Sequence, residues 1–387
     1  MFKGKGIIQI SNNYFDELRL SKQSIAEELA LTNTVLYVNP PVNAFSLFYR
    51  ANRAKYFKQQ LVKKSANLYV LTPKNYLPFQ LFHRTFNFNT RLIKRAIAQA
   101  ATKLCLTHPI LWIEEPTAEG LIGQFGEELV VYHCTDDFPS IGRGRYRSVE
   151  AQENKLAARA DIVFASSPQL VHDKIKINPQ TFYLPHAFDE QYFPQLEKKE
   201  SKPEEINHLQ KIIGYVGSIN ERIDINLIKA IARKFQDATL VLIGPVKYME
   251  NKEELSELVN SKNILLIKPK PKAELFSYIK YFTAGIIPYK NNAFNRASFP
   301  LKIYDYLVLG KPAVTIELEA FRHFSNLLYP ARTEKEFLDK LEQALQENDP
   351  ALTEKRKEFV RANSWRQRLS EADKLITAKL DENFRDK

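Results

Sequence analysis

The chain has 387 residues, a length that suits two domains. Its 44% hydrophobic and 26% charged residues, with only 12 Gly and 20 Pro, exclude collagen-like and low-complexity chains. Two cysteines, Cys105 and Cys134, are too few for a disulfide framework or a Cys-based zinc site, and the net charge of +11 sits in residues 1–100, where 15 Lys and Arg face 4 Asp and Glu.

The elements follow in chain order. Ile7–Ile10 is a short apolar run that reads as a buried strand entering the loop Ser11-Asn12-Asn13. It carries no long apolar stretch of the secretory kind, and no run in the chain approaches the roughly 18 residues of a membrane span. A helix is predicted over 21–31 and a strand over 34–38, stopped by Asn39-Pro40-Pro41. Strand, helix, strand with short connections opens a parallel α/β sheet. Further strands are predicted at 68–71, 110–113, 129–132, 161–165 and 181–184.

The polar segment 195–207 reads as a linker between domains. The α/β rhythm then restarts with strands at 211–218, 238–243, 264–267, 284–287 and 313–316 and a helix over 225–235. Two charged amphipathic helices are expected over 334–348 and 353–379. The division is therefore 1–194, linker 195–207, 208–360, and a last helix in 361–387 that crosses back to the first domain.

Residues 44–103 break this rhythm. Phe45, Phe48, Tyr49, Tyr56, Phe57, Phe79, Phe82, Phe86 and Phe88 alternate with twelve basic and no acidic side chains between Glu28 and Glu114. Rings and cations together suit an anionic membrane interface. The alternatives are a core with a solvated basic back, or nucleic acid.

The segment from Ile286 to Thr315 carries the densest chemistry. A strand ends at Pro288, an Asn-rich loop follows, and Ser298 precedes a helix expected over 300–309. Ser298 or Phe299 reads as the N-cap and Pro300 as the first helical residue. The N–H groups of Leu301 and Lys302 and the Lys302 ammonium would then make an anion site. Asp305, three residues on, is either a ligand for sugar hydroxyls or the surface partner of Lys302.

The run Ser298-Phe299-Pro300-Leu301-Lys302-Ile303-Tyr304-Asp305-Tyr306-Leu307-Val308-Leu309-Gly310-Lys311-Pro312-Ala313-Val314 resembles the donor loop of GT-B glycosyltransferases, of the family-four-like type that builds bacterial surface polysaccharides. The resemblance implies two Rossmann-like, doubly wound parallel-sheet domains facing a cleft, and a nucleotide-diphospho-sugar donor. It places Lys302 on the pyrophosphate and Asp305 on the ribose. Where many relatives carry a glutamate, eight residues earlier, this chain has Ala297.

Other matches extend the resemblance. Gly217, Ser218 and Arg222 lie in a loop like that after the first strand of the donor domain, where Arg222 is a second phosphate clamp. Gly244 and Lys268 lie at the next two strand tips. In the first domain Asn12 and Lys22 fall on the acceptor side. The strand ending His133-Cys134-Thr135-Asp136-Asp137 supplies His133, Asp136 and Asp137 as candidates to orient an acceptor hydroxyl or take its proton. The adjacent aspartates lack the spaced carboxylate pattern of metal-dependent sugar transferases, so no metal or other cofactor is expected. His186 lies before the second domain, as a donor contact or a hinge residue.

The expected activity is transfer of a sugar, with retention of configuration, to a saccharide or lipid-linked acceptor at the cytoplasmic membrane face. A nucleotide-sugar epimerase of the same fold and a non-catalytic membrane-associated nucleotide-sugar-binding protein are the alternatives.

Overall fold

The computed structural model describes residues 2–17, 19–41, 59–73, 83–138, 147–198, 200–246, 258 and 261–385. Within the aromatic and basic segment 44–103, residues 44–58 and 74–82, which hold Phe45, Phe48, Tyr49, Tyr56, Phe57, Phe79 and Phe82, lie outside the described residues, so the expected membrane contact has no structural account. The chain divides into two compact units, Met1–Pro185 with Trp365–Lys387, and His186–Ser364.

The first unit holds an eight-stranded sheet. Its strands are β1 (Gly6–Ile10), β2 (Thr34–Val38), β3 (Gln60–Lys63), β4 (Leu68–Thr72), β5 (Ile110–Ile113), β6 (Leu129–Cys134), β7 (Ile162–Ala165) and β8 (Thr181–Tyr183), in the order β3-β4-β2-β1-β5-β6-β7-β8. All neighbours are parallel except β3, which pairs antiparallel with β4 at the edge. β5, β6 and β7 are buried at every residue, as expected of strands covered on both faces. Helices α1 (Ser21–Leu29), α2 (His83–Lys103), α3 (Arg147–Arg159) and α4 (Pro168–Lys174) belong to this unit.

The second unit begins with a short helix, α5 (Phe193–Glu197). Its sheet has the order β11-β10-β9-β12-β13-β14 and is parallel throughout. The strands are β9 (Ile212–Val216), β10 (Thr239–Ile243), β11 (Ile264–Ile267), β12 (Ala284–Ile287), β13 (Ala313–Ile316) and β14 (Tyr329–Ala331). Helices α6 (Ile225–Lys234), α7 (Lys272–Ile279), α8 (Ala293–Ala297), α9 (Lys302–Leu307), α10 (Glu334–Gln346) and α11 (Pro350–Ala362) complete it.

Three sequence expectations change. Segment 195–207 is no linker between units: the chain passes between them at 185/186, Ile206 is fully buried, and Glu205 accepts hydrogen bonds from Lys270 Nζ (2.7 Å) and Tyr278 Oη (2.8 Å). The helix expected over 353–379 is two helices, because the chain breaks at Asn363-Ser364, where Phe188 N–H donates to Asn363 O at 3.0 Å. The second of them, α12 (Trp365–Arg385), belongs to the first unit, and Arg366 pairs there with Glu28 of α1 at 3.0 Å. The return crossing thus falls at 364/365 rather than 360/361.

Both sheets have a topological switch point, where successive crossovers leave the first strand in opposite directions. In the first unit this is between β1 and β5, and in the second between β9 and β12. Ligands of open parallel sheets bind outside the carboxyl ends of the strands at such points.

Candidate functional site

The switch point of the second unit is built by two glycines and two cations. Gly217 follows β9 with φ +133° and Gly244 follows β10 with φ +151°. A Cβ on Gly244 would lie 2.1 Å from Gly217 O, and one on Gly217 would lie 2.7 Å from Lys302 Nζ. Only a chain without side chains at both positions closes this tightly under positive φ. Lys302 opens α9. Its Nζ donates to Tyr215 Oη (2.7 Å) and Tyr289 Oη (3.1 Å) and lies 3.9 Å from the centre of the Tyr215 ring. Its hydrogen bonds therefore go to phenols and not to a carboxylate, and burial pushes its pKa below the ordinary lysine value.

Arg222 forms the other side. Nε donates to Asn295 Oδ1 (2.8 Å), Nη2 donates to Ser298 Oγ (2.7 Å), and the guanidinium lies 4.5 Å from the centre of the Tyr289 ring. Burial alone would raise the Tyr289 phenol. The neighbouring Lys302 and Arg222 charges outweigh that and hold its pKa below the usual tyrosine value. The loops after β9 and β12 are locked together by Lys290 N–H donating to Arg222 O at 2.8 Å and Asp224 N–H donating to Pro288 O at 2.9 Å. The two loops are thereby tied together beside the Lys302 and Arg222 charges.

The capping expected here is different. Ser298 is not an N-cap: its hydroxyl donates to Asn295 O at 2.7 Å while accepting from Arg222. The helix starts at Lys302 rather than Pro300, and its first turn is closed by Ile303 and Tyr304 N–H groups on Pro300 O and Leu301 O. Pro300 is buried and Leu301 half-buried. Phe299 is a core residue, packed against Tyr304, Phe321 and the His186 ring. His186 is itself buried, and its carbonyl accepts from Tyr304 Oη at 2.8 Å. Asp305 is not the partner of Lys302. It is buried and pairs with Lys272 of α7 at 3.0 Å, and burial raises its carboxyl pKa above the ordinary aspartate value. Ser218 lies beside Gly217 and accepts from Tyr215 Oη through its carbonyl, whereas Lys268 is exposed at the tip of edge strand β11.

The first unit places a different set at its switch point. Gln9 on β1 stands in register with Trp112 on β5, and its Nε2 donates to Glu114 Oε2 at 3.1 Å. Glu114 Oε1 faces Nδ1 of His133 on β6 at 3.8 Å. All four side chains are fully buried. The imidazole is flanked edge-on by Trp112 and by Trp365 of α12, with ring centres 5.9 and 6.4 Å away. Nearby, Lys22 Nζ donates to Asn12 Oδ1 and to Asn13 Oδ1 (3.2 Å), and Tyr37 Oη donates to Asn13 O (2.9 Å) and shares a hydrogen bond with the Ser11 hydroxyl (2.7 Å). Asp136 and Asp137 follow β6 in a loop, half-buried. Among the described residues no three His, Cys, Asp or Glu side chains gather as metal ligands, and no helix is long and apolar enough to cross a membrane.

Comparison with known proteins decides the activity. Residues 197–364 match the family of glycosyl transferases group 1. The protein is a glycosyltransferase. A Bacillus subtilis (strain 168) protein, the teichuronic acid biosynthesis glycosyltransferase TuaH, is 25% identical over 374 residues, covering 90% of this chain and 91% of its own. The sucrose-phosphate synthase of Thermosynechococcus elongatus superposes with a TM-score of 0.71 at 15% identity, over 97% of this chain and 98% of its own. The trehalose 6-phosphate synthase of Burkholderia multivorans gives 0.71 at 12% identity, over 100% and 99% of the two chains. The fold is GT-B.

Sequence reasoning did not assign several residues that build the two crevices of this glycosyltransferase. Tyr215, Tyr289 and Asn295 hold the two cations, and Gln9, Glu114, Trp112 and Trp365 surround His133. One signal was present for Glu114: it is the first acidic residue after a stretch with none, and it sits at a strand tip.

Proposed function

We propose that this glycosyltransferase moves a sugar from a nucleotide-diphospho-sugar to a hydroxyl of a saccharide or lipid-linked acceptor during synthesis of a cell-surface polysaccharide. The observation that carries the donor half is the Lys302 ammonium, held by two phenols beside Gly217 at a switch point. A shielded cation with neutral partners retains charge for an anion, and a departing diphosphate is the anion this chemistry generates. Arg222 adds a second, fork-shaped donor on the same crevice edge. The surface-polysaccharide setting is supported by the name of the B. subtilis relative.

In this reading Lys302 and Arg222 bind the diphosphate and stabilise the charge that grows on it as the glycosidic bond to the donor breaks. The first unit presents the acceptor hydroxyl from its own switch point. Transfer proceeds without a metal ion and with retention, at the cytoplasmic face of a membrane that the basic segment of the first hundred residues contacts.

A panel of nucleotide-sugars tested by thermal shift, followed by product analysis, examines this. The true donor raises the Tm of the native chain, because ligand binding stabilises the folded state by mass action, and fails to do so in Lys302→Met. Chelator treatment and the anomeric configuration of the product check the remaining parts. A chain stabilised by no nucleotide-sugar, or one whose Lys302→Met form binds the donor as well as the native, refutes the donor site. Conversion of donor in the absence of acceptor would favour an epimerase instead.

A further inference from the structure

The first unit contains a polar cluster apart from the residues proposed to bind the donor. Gln9 Oε1, Glu114 Oε1, Trp112 Nε1 and both ring nitrogens of His133 are buried and make no hydrogen bond among the described residues. Buried polar atoms are normally satisfied, and each unsatisfied one opposes folding. Several together at the switch point of a parallel sheet mark a place built for a polar ligand rather than for stability.

The arrangement is directional. Glu114 is fixed at both ends: its backbone N–H donates to Ile10 O at 2.9 Å, and its Oε2 accepts from Gln9 Nε2 at 3.1 Å. Gln9 Nε2 in turn also donates to Lys22 O at 3.0 Å, which fixes the amide. Only Oε1 is left, and it faces His133 Nδ1 at 3.8 Å. Trp112 and Trp365 meet the imidazole edge-on and hold the ring plane. Nε2 points away from that contact and has no hydrogen-bond partner among the described residues. The hydroxyl of Tyr37 is bonded to Ser11 and Asn13, and the Lys22 ammonium to Asn12 and Asn13.

We propose that Glu114 is a positioning residue for His133. Its carboxylate, braced by Gln9, keeps the imidazole proton on Nδ1 and leaves the Nε2 lone pair to accept a hydrogen bond from the acceptor's reacting hydroxyl. The ligand class is a hydroxyl-bearing saccharide. This rests on the reading that the first unit receives the acceptor. A carboxylate behind a histidine sets which nitrogen carries the proton, and that is the function assigned to Glu114.

The experiment uses the full chain labelled with ¹⁵N-histidine, with His133→Asn to assign the His133 signal. Neutral His133 in the native protein is expected as the Nδ1–H tautomer, and Glu114→Gln shifts population to Nε2–H. Gln9→Met gives a smaller shift, and it keeps the test available if Glu114→Gln fails to fold. A native Nε2–H tautomer, or a tautomer indifferent to both substitutions, overturns the proposal whatever the enzyme acts on. In kinetics, Glu114→Gln is expected to lower kcat/KM for the acceptor about tenfold or more with KM for the donor within about twofold. Equal losses on both substrates overturn the acceptor role. If the native enzyme transfers to no saccharide at all, the functional reading fails, while the tautomer measurement still judges the pairing of Glu114 and His133.

Discussion

The two switch points of this glycosyltransferase share a topology and differ in chemistry. In the second unit the strand tips are glycines, and the side chains that gather around them are a lysine and an arginine braced by tyrosines and an asparagine. In the first unit the tips carry an amide, a carboxylate and an imidazole between two indoles. The backbone decides where a ligand sits, and the side chains decide its class. On the proposed reading, cations held by phenols and an asparagine suit a diphosphate. On the same reading, the mixed donors and acceptors of the first unit suit hydroxyls.

That contrast can be broken most sharply at Lys302. Lys302→Met should lower kcat/KM for the donor about a hundredfold, the scale on which removal of a donor to developing charge acts. Initial rates at varied acceptor should show its KM unchanged, and an equal loss on both substrates would mean that the chemistries are not separated. Arg222→Met should weaken donor affinity about tenfold, measured by calorimetric titration, because Asn295 and Ser298 preset its fork for an anion. Gly217→Ala combines strain at φ +133° with a Cβ placed 2.7 Å from Lys302 Nζ. It should cost about 1–3 kcal/mol in urea unfolding and weaken the donor as well, linking backbone geometry to charge placement.

Tyr289→Phe removes one of the two phenols that hold Lys302 and should weaken donor binding a few-fold, about 1 kcal/mol. The smallest effect is expected away from both crevices, at Glu205, whose pKa is lowered to about 2, chiefly by the hydrogen bonds from Lys270 and Tyr278. A depressed carboxylate stabilises the fold above its unfolded pKa, and that contribution disappears as pH falls through the folded value. The small Tm deficit of Glu205→Gln should therefore be constant near neutrality, shrink below about pH 4.5 and vanish near pH 2. The side chain is substantially exposed, which keeps the effect modest.

The alternation of strands and helices was legible in the sequence because buried parallel strands are continuous apolar runs. Residues 34–38 and 264–267 are strands with the expected bounds. Edge strand β14 escaped notice, since three residues around Pro330 give no periodic signal, and β3 is mostly exposed. The break at Asn363-Ser364 falls in a charged amphipathic run without Gly or Pro, and the contact that accompanies it comes from distant Phe188. Lys302 and Ser298 stood out because they share one contiguous segment, although Ser298 does not cap the helix there. Gln9, Glu114, His133 and Trp365 are far apart in sequence and meet only through parallel register and the helix after the second unit. Asp305 shows the limit of local spacing: three residues from Lys302, it turns instead to Lys272.

The pairing of Phe188 with Ser364 places the two ends of the second unit side by side. That unit is an insertion carried by the first, one uninterrupted stretch of gene with adjoining start and stop. It is suited to exchange as a cassette between relatives, and a junction cut after Ser364 leaves Trp365 with its host, still resting against His133. Both cuts of such an exchange fall at neighbouring points of the backbone.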